Sequence, residues 1–478
     1  MISKYSRKND LISHILHQKD DILNQTISVS GWVRTCRTSE KGFGFCLLND
    51  GSCGKGIQLI LSSEYLDDDK LEYFFKNVKT GVSLNATGTV VTSPAKGQDI
   101  EIRVTDYKIY GLIQAGYPIS KTKIKLDTLR NHCHLRTRTG IFGCIFRIRN
   151  TLTKAIHEFY QSHDFLHLDP NVITINECEG GAGVFQVSEF CPKTTRDIPN
   201  KSGKILWQKD HFKRPAYLTV SSQLQLEALA CSLGNVYTTN KSFRSEHSST
   251  SKHVSEFTHL EIEMVFNEFE DLMNISEDFI RYVINYVLDN NQEDIESLNK
   301  FISKGLKEKL IHIMNSEYKR IKYSELVEEI NHDILEENLE LNKLEYGDDL
   351  GSEHENYITK KYNTCVFVTH WPQKIKSFYM KQCDDGTCES FDLLLPYGIG
   401  ELIGASQREE NYEKLLSAME KKGIEESSLK FYTDLRKYGT CPHGGFGLGF
   451  DRLLMFLTGM TNIKDVIPFP VFYTNCSY

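Results

Sequence analysis

The sequence predicts an α+β fold, with a small all-β domain followed by a larger domain of strands and helices. Three observations carry that prediction. Residues 25–115 hold five short alternating segments parted by Gly, Asp and Ser turns. Residues 268–346 are strongly helical in pattern and rich in acid. From about residue 364 strands resume, and a glycine-rich segment then leads into a final helix.

Taken in order, residues 1–24 read as a polar N-terminal extension, "MISKYSRKNDLISHILHQKDD", with no signal-peptide core. Residues 25–118 follow as the β domain. Its segments "TISVSGWVRTC", "GFGFCLLNDGS", "IQLILSS", "VSLNATGTVVTS" and "IEIRVTDYKIYG" alternate as strands do. Five short strands in so few residues predict a closed barrel of the OB type. Residues 119–138 read as a basic linker or hinge carrying Lys121, Lys123, Lys125, Arg130, Arg136 and Arg138. Residues 139–478 form the second domain, with the helical stretch 268–346 as an insertion. Its first segment, 141–162, puts Ile145, Ile148, Leu152 and Ile156 on one helical face.

Composition narrows the function. With 40% hydrophobic and 25% charged residues over 478 positions, the chain can build several cores. A net charge of −8 argues against a protein that coats nucleic acid nonspecifically. No apolar run is long enough to span a membrane. Thirteen scattered cysteines fit a reducing compartment, and the missing leader points to the cytoplasm. Cys383 and Cys388 in "CDDGTC" lack the further ligands of a zinc knuckle, so a turn at Asp385-Gly386 is the better reading.

Three constellations could carry chemistry. In "SFRSEHSSTSKHVSEFTHLEIEM", Arg244 ends one strand and Phe257 lies on the returning one, where His259, Glu261 and Glu263 share its face. An arginine so placed can fork onto phosphate or carboxylate, and an aromatic ring can stack on a flat base. In "GFGLGFDR", glycines 445, 447 and 449 allow close approach, and Arg452 opens a helix. The spacing matches neither a Rossmann fingerprint nor a P-loop. In "FDLLLPYGIGELIGASQRE", Asp392 and Glu401 flank a turn, with Arg408 beyond it. Paired carboxylates beside phosphates are a usual Mg²⁺ arrangement. Each motif alone also has a plain structural reading: a wet hairpin tip, a strand under a helix, a turn with surface charges.

Together, in order and spacing, the three resemble the signature motifs of class II aminoacyl-tRNA synthetases. The helix at 141–162 with "LHLDP", ending in Pro170, is similar to motif 1. "FRSEHSSTSKHVSEFTHLEIEM" is similar to motif 2, and "GFGLGFDRLLMFLTG" to motif 3. "GWVRTCRTSEKGFGFCLLNDGS" resembles the anticodon-binding barrel of the aspartate, asparagine and lysine subgroup. Within it, "VSSQLQLEALA", "IKSFYM", "GIGELIGASQRE" and "YTDLRKYGTCPHGGFGLGFDR" resemble the asparaginyl branch of bacterial and organellar type. The resemblance implies an antiparallel catalytic sheet flanked by helices, and a ligase that activates asparagine with ATP and transfers it to the 3′ end of asparagine tRNA.

It also implies roles. Arg244 and Arg452 are the catalytic arginines, Arg244 on the α-phosphate and substrate carboxylate, Arg452 over the adenine and toward the γ-phosphate. Glu246, Lys252, His253, Phe257, Glu401 and Gly449 complete the ATP site. Asp392 and Glu401 hold Mg²⁺. Glu179, Gln223, Glu227 and Arg408 bind the amino acid, and Arg34, Arg37, Phe45 and Gln58 meet the anticodon. The partners implied are asparagine, ATP, asparagine tRNA and a second copy of the chain joined through the motif 1 helix, with no membrane. Glu227 replaces a lysine of the aspartyl relatives, a change that suits an amide and repels a carboxylate. The chain departs from the family at Asp451, Lys252 and Val471, where glutamate, arginine and arginine are common, and at Gly404, where some aspartyl relatives have a serine. Two alternatives stay open: an aspartyl or nondiscriminating synthetase, and a catalytically inactive synthetase-like RNA-binding protein.

Overall fold

The computed structural model describes residues 10–39, 42–95, 97–119, 124–175, 183–191, 193, 198–248 and 250–478. The chain divides into two compact units, Met1–Ile148 with Glu293–Lys304 and Arg149–Gln292 with Gly305–Tyr478. The first unit therefore runs beyond 138 and takes in a piece of the helical stretch 268–346.

In the first unit, β1 (Thr26–Ser39), β2 (Phe43–Asn49), β3 (Ile57–Ser62), β4 (Ser83–Thr92) and β5 (Ile100–Gly111) close a barrel in the order β1-β2-β3-β5-β4. Alternation decides which side chains fill it: Val29, Val33, Cys46, Leu48, Leu59, Leu61, Ala86 and Val104 are buried in one cluster. The helix Asp68–Asn77, capped by the Asp67 carboxylate, adds Leu71 and Phe74 to that core. Ile12 and Ile15, from the segment read as an extension, also lie in it.

The second unit is built on an eight-stranded sheet. Its strands are β6 (Leu166–His167), β7 (Val236–Phe243), β8 (Glu256–Val265), β9 (Lys319–Lys322), β10 (Val366–Thr369), β11 (Ser390–Leu395), β12 (Gly400–Gln407) and β13 (His443–Gly449), in the order β9-β10-β11-β12-β13-β8-β7-β6. The sheet is antiparallel except at its two edges, where β9–β10 and β6–β7 run parallel. Strand β9 lies inside the stretch expected to be helical. Its sequence, KRIK, is too short and too charged to betray a strand, and its pairing with β10 is what makes it one. The helix α1 spans Gly140–Ser162, and Ile145, Ile148, Leu152 and Ile156 are all fully buried, as their spacing predicts. Further helices used below are α2 (Gln223–Leu233), α3 (Ser352–Tyr362), α4 (Lys430–Lys437) and α5 (Phe450–Thr458).

Cys383 and Cys388 flank a turn: the Cys383 amide donates to Thr387 at 2.8 Å and Gly386 has φ +85°. Both thiols are free. Among the described residues no helix is long and apolar enough to cross a membrane.

Candidate active site

The site floor follows from period-2 alternation. On β8, Leu260 and Ile262 turn one way, while Phe257, His259, Glu261 and Glu263 turn the other. One register row crosses four strands, Glu261–Gly447–Gly404–Asp392, so two carboxylates stand on one face separated by two glycines. On β13, close approach requires glycine at 447 and again at 445. A Cβ at Gly447 would lie 2.6 Å from His259 Nε2, and one at Gly445 would lie 2.1 Å from the Ile262 carbonyl oxygen.

Above this floor a cavity is lined by Arg244, Glu246, Lys252, His253, Phe257, Glu401, Gly449 and Arg452. All eight residues expected at the ATP site thus meet in one place. The Arg244 guanidinium carbon is 5.5 Å from the Phe257 ring centre. Arg452 is held from β12: its Nη1 donates to the Glu401 carbonyl at 2.6 Å. The α5 start that carries it is fixed by Asp451, which accepts from the Thr258 amide at 2.9 Å and pairs with Arg149 at 2.5 Å. Burial lowers the pKa of both Lys252 and His253. His253 Nδ1 lies 3.2 Å from Ser248 Oγ.

A second cavity shares Arg244, His259, Glu401, Gly404 and Gly447 with the first and adds Gln223, Glu263, Lys376, Tyr379 and Arg408. Arg408 donates to Glu263 through Nη2 at 2.5 Å and to Ser406 through Nη1 at 2.7 Å. Glu227 lies one layer behind this wall and is fully buried. Its Oε2 accepts from Tyr432 at 2.7 Å and Arg436 at 3.0 Å and meets His443 Nε2 at 3.1 Å; its Oε1 accepts from Gln223 at 3.0 Å. Burial alone would raise its pKa, but His443, Arg436 and Arg408 hold it well below the usual carboxylate range. So Glu227 is a carboxylate that fixes two cavity-lining side chains, Gln223 directly and Arg408 through charge, the latter at 3.7 Å. Glu179 lies outside the described residues.

Asp392 and Glu401 face the same space although three positions separate Gly404 from Glu401. A bulge explains it: Leu393 pairs with Ile403 but Leu394 with Glu401, so Leu402 is the extra residue. A Cβ on Gly404 would stand 3.4 Å from Glu401 Oε1 and 3.8 Å from Asp392 Oδ1. The local charge favours a cation. Burial pushes Asp392 up to about 6 against the pull of Lys376, 2.8 Å away, and Glu401 adds to the push. Burial and then Glu401 push Glu355 of α3 up to about 7. Oxygen ligands in this number and polarity suit Mg²⁺.

In the barrel, Arg37 pairs with Phe45, Phe45 with Ile60, and Leu47 with Gln58, which sets the expected anticodon residues on the outward face of β1–β2–β3. Arg34 joins them at the β1 irregularity between Val33 and Thr35 and reaches Asn49 at 3.3 Å. Phe45 is 38% exposed, so its ring is available for stacking.

Sequence reasoning did not single out Glu263, Lys376, Tyr379 or Glu355 as site residues. Glu263 was available from its alternation with Phe257. The others come from segments whose pairing with the site only the tertiary fold reveals.

Residues 125–472 match the model of the family described as tRNA synthetases class II (D, K and N), and residues 27–110 match that of the OB-fold nucleic acid binding domain. The asparagine–tRNA ligase of Clostridium tetani (strain Massachusetts / E88) is 40% identical over 464 residues, covering 96% of this chain and 97% of the relative. That of Parabacteroides distasonis is 40% identical over 456 residues, covering 95% and 96%. The crystal structure of asparaginyl-tRNA synthetase from Pyrococcus horikoshii complexed with asparaginyl-adenylate superposes with a TM-score of 0.84 at 26% identity, over 100% of both chains.

Proposed function

The chain belongs to the class II tRNA synthetases (D, K and N) and is a ligase that joins asparagine to tRNA; on that premise we infer how its own residues carry out the reaction. The observation that carries the reading is Arg244, which lines both cavities. ATP occupies the cavity of Phe257 and Arg452, its purine between the ring and the guanidinium. Asparagine occupies the cavity of Gln223 and Arg408. Its carboxylate oxygen and the α-phosphorus then meet beside Arg244. Attack there forms the acyl–phosphate bond and releases pyrophosphate; the terminal ribose hydroxyl of the tRNA next attacks the acyl carbon and releases AMP. The protein positions the groups and supplies positive charge where negative charge builds up. Asp392 and Glu401 would hold Mg²⁺, which supplies further charge to the phosphates when bound. Glu246, Lys252, His253 and Gly449 contact the rest of the nucleotide, and Glu179 the α-amino group.

Specificity follows from the charge around Arg408. With Glu227 ionised behind it, and Glu263 bound to it but pushed up to about 8 by burial, Arg408 already has a carboxylate balancing its charge, so the amide of asparagine is preferred over the carboxylate of aspartate. The barrel face of Arg34, Arg37, Phe45 and Gln58 receives the anticodon. The working form is a cytoplasmic homodimer joined through α1 and the segment ending at Pro170; Leu166 on the edge strand β6, 48% exposed, and Ile173, 41% exposed, offer apolar surface beside that segment. The test is aminoacylation of asparagine tRNA transcript with asparagine and with aspartate, wild type beside Glu227→Gln. Wild type should transfer asparagine alone, and the variant should lose discrimination. Efficient transfer of aspartate by the wild type would overturn the specificity.

A further inference from the structure

We propose that Cys231, Cys441 and His443 form a binding site for a soft divalent cation of the Zn²⁺ type, placed behind the asparagine pocket and coupled to it through Glu227. The two sulfurs and a ring nitrogen of His443 lie within 4.8 Å of one another, a convergence that no other group of His, Cys, Asp or Glu reaches among the described residues. Zinc takes thiolate sulfur at about 2.3 Å and imidazole nitrogen at about 2.0–2.1 Å, which sets ligand atoms of one tetrahedron about 3.3–3.8 Å apart. The cluster needs only a small contraction to meet that spacing.

The three ligands come from separate elements. Cys231 stands in the last turns of α2, Cys441 in the loop before β13, and His443 at the β13 start. Cys231 is partly exposed, which gives a cation its entry and leaves a fourth position to water, whereas Cys441 and His443 are buried. Two thiolates and a neutral imidazole cancel the charge of a divalent ion, so the occupied site adds no net charge to this half-buried place. Ligation as thiolate releases the thiol protons.

His443 makes the link. Its Nδ1 donates to the carbonyl oxygen of Cys441 at 2.8 Å, while Nε2 lies 3.1 Å from Glu227 Oε2 and 3.3 Å from Arg436 Nη2. Ligation through Nδ1 breaks the bond to the Cys441 carbonyl and moves the ring proton to Nε2, facing Glu227, the carboxylate–histidine–metal order that fixes an imidazole. The cation then braces the carboxylate that positions Gln223 and Arg408. Affinity for the metal and for asparagine are thereby coupled, and the coupling is reciprocal.

The experiment titrates Co²⁺ into the reduced full-length enzyme and follows sulfur-to-cobalt charge-transfer absorption and tetrahedral d–d bands. One equivalent should give both signals, and Zn²⁺ should abolish them. Cys231→Ser and Cys441→Ser should each weaken binding by about tenfold or more, while Cys476→Ser, at an exposed thiol, should leave it unchanged. Folding of each variant is checked by its thermal transition. Equal Co²⁺ spectra in wild type and both site variants would overturn the site. Metal-independent asparagine KM in a protein that does bind Co²⁺ at these cysteines would overturn the coupling. Neither result touches the charging activity, which rests on other residues.

Discussion

Arg149 of α1 and Asp451 of α5 form an ion pair, its carboxylate buried and its guanidinium half-buried, with 2.5 Å between Nη1 and Oδ1. The other Asp451 oxygen accepts the Thr258 amide at 2.9 Å, and Arg149 also reaches Thr258 Oγ1 at 3.2 Å and the Val466 carbonyl at 3.1 Å. Three segments around the cavity of Phe257 and Arg452 are thus tied at one point, immediately before Arg452. Glutamate is common at this position in the family, and the shorter Asp451 reaches its partners here because Arg149 comes to it.

Asp451→Ala should therefore cost more than a cavity-wall substitution. Removing the carboxylate leaves the half-buried Arg149 without its ion partner and the Thr258 amide without its acceptor, at a cost of about 1–3 kcal/mol. Urea unfolding should show that loss, and asparagine-driven ATP–pyrophosphate exchange should fall as Arg452 loses its mount. A stable Asp451→Ala enzyme with wild-type exchange would dismiss the tie.

The glycines of β13 make a sharper contrast. Gly445→Ala puts a methyl 2.1 Å from a backbone oxygen of the neighbouring strand, which cannot step aside. Gly449→Ala meets nothing closer than 3.6 Å. Thermal unfolding should find the first destabilised by roughly 1–3 kcal/mol, an overpacking penalty, and the second close to wild type. Because Gly449 lines the cavity proposed for ATP, its variant should instead raise the KM for ATP.

Acid should weaken the site through His259. Burial holds this imidazole below its usual range; Glu261 pulls the other way, and Arg244 and Arg452 reinforce burial. The unfolded chain, with an ordinary histidine near about 6.5, then binds a proton that the folded chain does not. The stability contributed is fully present above about pH 6.5 and is lost as pH falls toward the depressed folded value. Urea midpoints measured from about pH 5 to 8 should rise with pH, and the rise should be shallower in His259→Gln. An unchanged slope in the variant would assign the acid loss elsewhere.

How much of this was readable in the chain depends on how local each signal is. The Phe257–Glu263 alternation and the glycine spacing of β13 are local, and both strands lie where they were expected. Barrel closure followed from five alternating segments. The residues expected at the ATP site line one cavity, because motifs 2 and 3 adjoin in the sheet as β8 and β13. What stayed hidden is long-range. Strand β9 exists only through its neighbour, and Glu355 matters only because α3 comes near β12. Glu227 was read as a wall of the amino-acid pocket. The structure sets it a layer back, since Tyr432 and Arg436 of α4 and His443 of β13 converge on it from more than two hundred residues away.

Phe45 gives the cleanest separation of the two units' work. Its ring is edge-on to Phe43 at 4.8 Å between centres and exposed on the outer barrel face, beside Arg37. Stacking of one base on such a ring is worth roughly 1–3 kcal/mol. Phe45→Ala should therefore raise the KM for asparagine tRNA by a factor of about five to a hundred or more, in line with that energy. It should leave asparagine-driven ATP–pyrophosphate exchange untouched, because no ATP-cavity residue belongs to the barrel. The core residues Cys46 and Leu48 alternate away from Phe45, so the truncated side chain leaves the barrel interior filled and folding intact. Equal loss of both activities would mean that the substitution disturbs the fold and that the face is not the anticodon's; a fall in charging alone, relieved at high tRNA concentration, is the outcome the stacking geometry requires.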